Sequence, residues 1–198
     1  MARPVNPERN RARRLQIIDA GLTVIARHGY TGATTAAICR EAGIGSGTFF
    51  HYFPTKDHLL VAILREGEVA TRAFFAAQDG RTDARAVLHD YIVHAVSDLR
   101  DPRASGFISA IAGPAMGTEV IAALQRLDQD AHSALTAWTR EAQRDGQVRR
   151  DLSAERIARW ILALVDGFAS QVGSGRGFDA EAEEPVLYEL TARFLSGR

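Results

Sequence analysis

Residues 34–56, TTAAICREAGIGSGTFFHYFPTK, constrain the fold of this chain more than any other stretch. Thr34 is a good N-cap, because its hydroxyl can accept a hydrogen bond from a free backbone N–H in the first turn of a helix. Gly43 predicts the end of that helix, since glycine adopts the left-handed conformation of a C-terminal cap. A second helix cannot continue past Phe53, because Pro54 disfavours helical geometry in the residue before it. Two short helices joined by a glycine turn form a helix-turn-helix, whose second helix can enter the major groove of DNA.

The second of these helices has an inward and an outward face. Phe49 and Phe53 are four residues apart, so we expect both to pack inward. The outward face and its margins carry Ser46, Gly47, Thr48, Phe50, His51 and Tyr52. Three adjacent aromatic side chains on so short a helix cannot all face inward, which favours contact with a partner over core packing. Gly47 costs about 1 kcal/mol of helix propensity relative to alanine. We interpret it as allowing close approach to DNA, and an imperfect helix start is the alternative.

The net charge of zero conceals an asymmetry along the chain. Residues 1–56 carry eight basic and three acidic groups, a net charge of +5, and residues 57–198 therefore carry a net charge of −5. Half of the eight basic groups lie between Arg9 and Arg14, just ahead of an apolar helix. A basic head on an acidic body suits a protein that attracts polyanions at one end, although chance variation is the alternative.

The composition is that of an ordinary soluble protein, with 46% apolar and 24% charged residues. Cys39 is the only cysteine, so the chain can form neither an intramolecular disulfide nor a cysteine-based metal site. The N-terminal segment lacks the apolar core of a signal peptide, and no run of 18 apolar residues suggests a membrane span. We therefore expect a cytoplasmic location and no membrane association.

The helical periodicity predicts an all-α fold with about nine helices. The first helix has Asn6 as its N-cap, an apolar stripe of Leu15, Ile18, Leu22 and Ile25, and a stop at Gly29. Beyond the helix-turn-helix, we predict helices at about 56–77, 83–100, 104–112, 117–144, 153–172 and 182–195, and no strand. The predicted organisation is an N-terminal three-helix domain over residues 1–55, with its helix-turn-helix at 34–53, and a larger C-terminal bundle over residues 56–198.

Several short motifs in fixed order resemble a known family. They are Gly29-Tyr30, Thr34-Thr35, I-x-x-x-A-G-I from Ile38 to Ile44, G-T-F-F-H-Y-F from Gly47 to Phe53, and K-D-x-L-L from Lys56 to Leu60. Together they make the stretch from about Arg11 to Glu68 similar to the N-terminal domain of the TetR family of bacterial transcriptional regulators. In that family the first three helices bind DNA, and the remainder forms a helical dimerisation and ligand-sensing domain.

The resemblance implies a set of DNA-contacting residues. They are Thr34, Thr35, Ser46, Gly47, Thr48, Phe50, His51, Tyr52 and Lys56, with Thr35 and Lys56 at positions that meet phosphate. The chain also departs from the family pattern. Gly45 stands where a Ser or Thr cap is common, unless Ser46 shifts the cap by one residue. Phe50 replaces the usual Tyr, which removes a hydroxyl–phosphate hydrogen bond, and Cys39 replaces a common Ala.

The resemblance further implies a homodimer that pairs through the last two helices. WILALVDGF in the eighth predicted helix is similar to BetI-type members and is apolar nearly all round, so that helix must be covered on several sides. The candidate interface residues are Trp160, Leu164, Phe168, Leu187, Leu190 and Phe194, for which burial within one protomer is the alternative. Two recognition helices about 34–36 Å apart would read the half-sites of a palindromic operator in double-stranded DNA.

A small-molecule effector is also implied, bound inside the C-terminal bundle. The candidate pocket residues are Phe75, Tyr91, His94, Phe107, Met116 and Trp138, for which core packing is the alternative. We expect the effector to be small and largely apolar, and we expect no cofactor. Asp90 and His94 have a spacing compatible with a metal, but two ligands do not make a site.

The leading hypothesis is therefore a DNA-binding transcriptional regulator, a repressor released by its effector. One alternative is a helical ligand-binding dimer that lacks DNA recognition. Another is an enzyme on a helical scaffold. The sequence offers no Ser/His/Asp ordering, no phosphate-binding glycine loop after a strand and no metal cluster for such an enzyme.

Overall fold

The computed structural model describes residues 7–113 and 116–197, and these form nine α-helices, one 3₁₀ turn and no strand. The helices are α1 (Pro7–Gly32), α2 (Thr35–Glu41), α3 (Ser46–Tyr52), α4 (Lys56–Ala76), α5 (Ala84–Ser97), α6 (Ala104–Ile111), α7 (Thr118–Arg144), α8 (Ala154–Gly173) and α9 (Ala180–Ser196). The 3₁₀ turn is Asp98–Arg100. The prediction of an all-α fold is confirmed, and Asn6, the predicted first N-cap, lies outside the described residues.

The ends of the short helices follow local sequence signals. The hydroxyl of Thr34 accepts the backbone N–H of Ala37 at 3.1 Å, as an N-cap does. Gly43 has φ of 61°, the left-handed conformation that ends α2. The end of α1 is less simple than predicted. Gly29 interrupts it with φ of 71° and ψ of 165°, and a further helical turn then runs to Gly32. Gly29 therefore redirects α1 rather than ending it.

One hydrophobic core defines the part of the molecule that we call the head. It contains residues of α1 to α3, the N-terminal half of α4 and the start of α7, among them Ile17, Val24, Ile25, Ile38, Phe49, Phe53, Leu59, Leu60 and Val120. Leu15, predicted to lie on the apolar stripe of α1, is 39% exposed. The buried face of α1 runs through Ile17, Gly21 and Val24, so Leu15 lies on its flank together with the half-buried Leu22.

A second hydrophobic core lies between α5, α7, α8 and α9, and we call this part of the molecule the body. From α8 it contains Ile157, Ile161, Val165 and Phe168, and the opposite side of that helix carries charged residues and an exposed Trp160. The helix is therefore amphipathic rather than apolar all round. The core of the head extends beyond residue 56 into α4 and α7. The domain boundary predicted at residues 55/56 stays a prediction. None of the described helices is long and apolar enough to cross a membrane.

An ion pair with one buried partner joins the start of α9 to the 3₁₀ turn that follows α5. The carboxylate of Glu184, on a side chain that is 3% exposed, accepts hydrogen bonds from Arg100 Nε at 2.9 Å and Nη2 at 2.5 Å. The hydroxyl of Tyr188 donates a third hydrogen bond to it at 3.0 Å. The Arg100 guanidinium holds the pKa of the Glu184 carboxyl below its usual value. Three donors compensate this carboxylate for the loss of water around it.

Candidate nucleic-acid interface

Helix α3 has the two faces that its sequence predicts. Phe49 and Phe53 are 0% and 2% exposed, and their ring centroids lie 6.1 Å apart in the head core. The opposite side shows Ser46, Gly47, Phe50 and His51 to solvent, with Thr48 and Tyr52 half-buried at the margins. The buried phenylalanines thus fix the rotation of α3 and determine which side chains remain available to a partner.

The backbone at the start of α3 is exposed and has no side-chain cap. Gly45 is the N-cap, with φ of −80° and ψ of 158°, and no side chain caps the helix there. Ser46 is the first helical residue, so the cap is not shifted by one. A Cβ built on Gly47 would meet nothing within 4 Å in the described protein. The first turn of α3 therefore presents backbone N–H groups and a flat glycine surface outward, which a phosphate or a base edge can approach closely.

The aromatic side chains of α3 give its outer face an apolar region. Phe50 is 53% exposed and packs edge-on against Phe49, with ring centroids 5.4 Å apart. His51 lies edge-on to Tyr52 at 5.1 Å. An exposed phenyl ring has no hydrogen bond to offer, but it can contact a thymine methyl group in the major groove, and the imidazole beside it can form hydrogen bonds with bases or phosphates.

Lys56 is held in place by the end of α1. Its Nζ donates a hydrogen bond to the carbonyl oxygen of Tyr30 at 2.6 Å and lies 4.2 Å from the centroid of the Tyr30 ring. Partial burial lowers the pKa of the ammonium group, which the neighbouring Asp57 carboxylate partly opposes. An ammonium group has three donors, so those not used on Tyr30 can reach a phosphate. The predicted phosphate contact stays a prediction.

Tyr30 also binds the start of α4 through Asp57, a contact that the sequence patterns do not predict. The hydroxyl of Tyr30 donates a short hydrogen bond to the carboxylate of Asp57. Burial and that carboxylate together raise the pKa of Tyr30 far above its usual value. The other oxygen of the carboxylate lies against Gly117, the N-cap of α7, where an ideal Cβ would be 2.5 Å from it. The Gly-Tyr and Lys-Asp pairs of the sequence thus meet where α1, α4 and the start of α7 come together.

Four arginines lie in the first turns of α1. Arg9 and Arg11 are exposed. Arg13 donates to Gln16 at 3.0 Å, and Arg14 forms an ion pair with Glu66 at 3.3 Å. The hydroxyl of Thr34 serves as a cap acceptor, and Thr35, partly exposed, is the first residue of α2. These groups add positive charge and polar side chains to the same part of the molecule as α3, and both are used in binding the DNA backbone.

The sequence matches known families over most of its length. Residues 17–63 match the bacterial regulatory proteins of the tetR family, and residues 80–196 match the C-terminal part of BetI-type transcriptional repressors. The chain belongs to the TetR family. The resemblance found in its short motifs is thereby confirmed, and so is its function as a helix-turn-helix transcriptional regulator that binds DNA.

Individual relatives agree with this assignment. The chain is 27% identical to the transcriptional repressor AcnR of Corynebacterium diphtheriae over 176 residues, which is 84% of each chain. It is 26% identical to the transcriptional regulator UidR of Escherichia coli over 172 residues, covering 80% of this chain and 81% of the relative. Among solved structures, the fatty acid degradation regulator FadR of Bacillus halodurans superimposes with a TM-score of 0.81 at 21% identity, covering 99% and 100% of the two chains. FadR of Bacillus subtilis, solved with stearoyl-CoA, has a TM-score of 0.77 at 20% identity, covering 91% and 98%.

The structure divides the predicted effector residues between its two cores. Phe75 stacks on Tyr91 with centroids 5.1 Å apart, and His94 stacks on Phe74 at 4.8 Å. Trp138 packs against the same core. The other two predicted residues, Phe107 and Met116, pack against the core of the head. The pocket formed by these six residues stays a prediction.

The predicted dimer residues also separate into two groups. Trp160 is 52% exposed, Leu190 is 51% exposed, and Leu164 and Phe194 are half-buried. Phe168 and Leu187 lie in the core of the protomer itself, so they have little surface left for a second chain. An additional exposed apolar residue, Val186, extends the exposed apolar surface of α9. This residue was missed because helical periodicity alone does not show which face of α9 meets the body.

The described residues contain no group of three potential metal-binding side chains. Asp90 and His94, whose spacing is compatible with a metal, each contact another residue. Asp90 forms an ion pair with Arg81 at 2.7 Å, and His94 stacks on Phe74.

Proposed function

We propose that this TetR-family regulator is a homodimeric repressor that binds a palindromic operator in the cytoplasm and leaves it when a small molecule occupies the body. The observation that carries the proposal is the outer face of α3. Four exposed residues, Ser46, Gly47, Phe50 and His51, project from a helix whose rotation is fixed by buried phenylalanines. Such a face suits the major groove, and we assign it no catalytic role.

The exposed apolar surface of α8 and α9 supports dimerisation. Trp160, Val186 and Leu190 are each about half exposed, and the Trp160 ring lies 6.4 Å from that of Phe194. Large apolar side chains on two neighbouring helices are costly to leave in water, and a two-fold axis would cover them with the same surface of a second copy. A dimer would also present two copies of α3 to the two half-sites of a palindrome.

The aromatic cluster of the body supports an effector site there. Phe74, Phe75 and His94 are half-buried beside the buried Tyr91. Partly exposed aromatic faces above a buried phenol suit a small, largely apolar molecule with one polar group. FadR from Bacillus subtilis, which has a related fold, was solved in complex with stearoyl-CoA, a molecule with a long apolar chain, and this supports a largely apolar effector.

Fluorescence anisotropy with labelled DNA from around its own gene tests the proposal. We expect tight binding to one fragment that weakens steeply with salt, because each phosphate contact releases counterions. His51→Ala should reduce the affinity at least about tenfold and leave the dimer mass in sedimentation unchanged. A protein that binds no fragment above the level of unrelated DNA, but still dimerises, would support the alternative of a ligand-binding dimer without DNA recognition.

A further inference from the structure

A groove lined by arginines opens in the body where α7 and α9 end and α5 begins. Helix α7 starts in the core of the head, and its 27 residues span about 40 Å, so the groove lies far from the DNA-binding face. The groove has a volume of about 990 Å³. Its lining includes four arginines and one aspartate, a net charge of +3 in a part of the chain whose net charge is −5. These residues are Arg85, Arg149, Arg150, Arg193 and Asp151.

The walls of this arginine groove are joined to one another by hydrogen bonds. The backbone N–H of Arg149 donates to the carbonyl oxygen of Leu195 at 2.8 Å, which ties the segment after α7 to the end of α9. The side chain of Gln147 accepts the backbone N–H of Arg85 at 2.9 Å and donates to the carbonyl oxygen of Thr82 at 3.0 Å. The same segment is thereby tied to the start of α5, so the groove is formed before any ligand arrives.

The guanidinium of Arg85 is oriented by neutral acceptors. Its Nη1 donates to the carbonyl oxygen of Gln147 at 3.2 Å. Its Nη2 donates to the carbonyl oxygen of Ala192 at 3.1 Å and to the hydroxyl of Ser196 at 2.8 Å. A guanidinium has five N–H donors, so the Nε donor and one Nη1 donor remain for a ligand. The positive charge of Arg85 is held in place but not neutralised.

Arg150 is held in the same way at the end of α7. Its Nε donates to the carbonyl oxygen of Gln143 at 2.5 Å, and its Nη2 donates to that of Arg144 at 2.8 Å. Both Nη1 donors and one Nη2 donor remain. The side chain is exposed, so these donors are accessible to an anion.

Capping of helix ends accounts for only part of this positive charge. A helix end contributes about half an elementary charge, so the ends of α7 and α9 and the start of α5 together contribute about −0.5. Arg149 is paired with Asp151. Arg85 and Arg150 have no carboxylate partner among residues 7–113 and 116–197. Their two charges exceed the contribution of the helix ends, and a positive charge of about 1.5 remains.

We propose that the arginine groove binds a small phosphate compound with two or more negative charges, and that Arg85 and Arg150 are its main partners. The fork of a guanidinium matches the spacing of phosphate oxygens, and such charge-assisted hydrogen bonds are strong. A compound with at least two charges can neutralise both arginines at once. No lining residue of the groove belongs to α3 or to the aromatic cluster of the body. This site is therefore additional to the proposed function and does not depend on it.

Isothermal titration calorimetry of the full-length protein with sodium pyrophosphate tests the proposal. The titrations contain no divalent metal ion and are made at about 0.15 M NaCl, which screens weak attraction between exposed charges. We expect one site per chain with a dissociation constant below about 1 mM. Arg85→Gln and Arg150→Gln should each weaken binding about tenfold or more, because each removes one of the two charges that face the anion.

Two control variants remove a positive charge elsewhere. Arg176→Gln changes an exposed arginine in the loop between α8 and α9, and Lys56→Gln removes the ammonium group of the head. Both should bind pyrophosphate as the unaltered protein does. The proposal is overturned if pyrophosphate does not bind, or if Arg85→Gln and Arg150→Gln bind it as tightly as Arg176→Gln. Weaker binding by Lys56→Gln alone would assign the anion to the head and would also overturn it.

Hydrogen exchange locates the site independently of the variants. With saturating pyrophosphate, residues 145–151 and 192–197 should exchange more slowly, because the anion stabilises the walls of the groove, whereas residues 7–32 should not change. Unchanged exchange in both wall segments would contradict the proposal. Should Arg85→Gln fail to fold in thermal melting, Arg150→Gln still decides the question, because its side chain is exposed and its replacement leaves no cavity.

Discussion

Replacing Gly47 by alanine should separate the stability of the protein from its affinity for DNA. The added Cβ meets nothing within 4 Å, so the change costs no steric energy in the free protein. Alanine is the better helix former, and the variant should gain roughly 0.5–1 kcal/mol of unfolding free energy. A chain of this size should then melt about 1–4 °C higher. The same methyl group projects from the outward face of α3, where it would stand between the backbone and DNA.

Thermal melting and DNA anisotropy on the same preparations measure the two effects. We expect the operator affinity to fall about tenfold or more, equivalent to about 1.4 kcal/mol, while the melting temperature rises. Gly67→Ala in α4 should raise the stability similarly and leave DNA binding unaltered. The reasoning is refuted if Gly47→Ala binds the operator as tightly as the unaltered protein, since the backbone at this position would then not lie close to DNA.

Three further changes test other parts of the structure. Leu190→Glu should convert the dimer to a monomer in sedimentation, whereas Ile121→Glu, an equally exposed apolar position on α7, should not. Arg100 holds the pKa of Glu184 below its ordinary 4.5, so their ion pair stabilises the fold above that pH and this contribution is lost as the pH falls below it. Glu184→Gln should therefore lower the melting temperature at neutral pH and have little effect in acid. Tyr30→Phe should cost about 1–2 kcal/mol of unfolding free energy in denaturant titration, because it removes a hydrogen bond to a carboxylate.

The head could be predicted in detail because its signals are local. Thr34 and Gly43 bound α2 through the hydrogen bonds and backbone angles of single residues. The spacing of Phe49 and Phe53 decides which side of α3 is buried, and the exposed side follows from it. Local signals of this kind do not depend on where the rest of the chain lies.

The body was predicted only as a series of helices, because helical periodicity does not say which helices are neighbours. Phe107 and Tyr91 are both apolar residues on predicted helices, but one packs in the head core and the other in the body core. Likewise, Phe168 and Trp160 lie on the same helix, and only the arrangement of α5, α7 and α9 around it leaves Trp160 outside.

The sequence by itself determined the helix-turn-helix, the outward residues of α3, the helical class and the family. Each of these follows from the spacing of residues near one another in the chain. The tertiary structure alone decided how the head is attached to the body. Arg103 meets Asp19, and Gly106 touches Ala26, across about 80 intervening residues. Contacts at that separation depend on the path of the whole chain, and no local pattern of charge or apolarity specifies them.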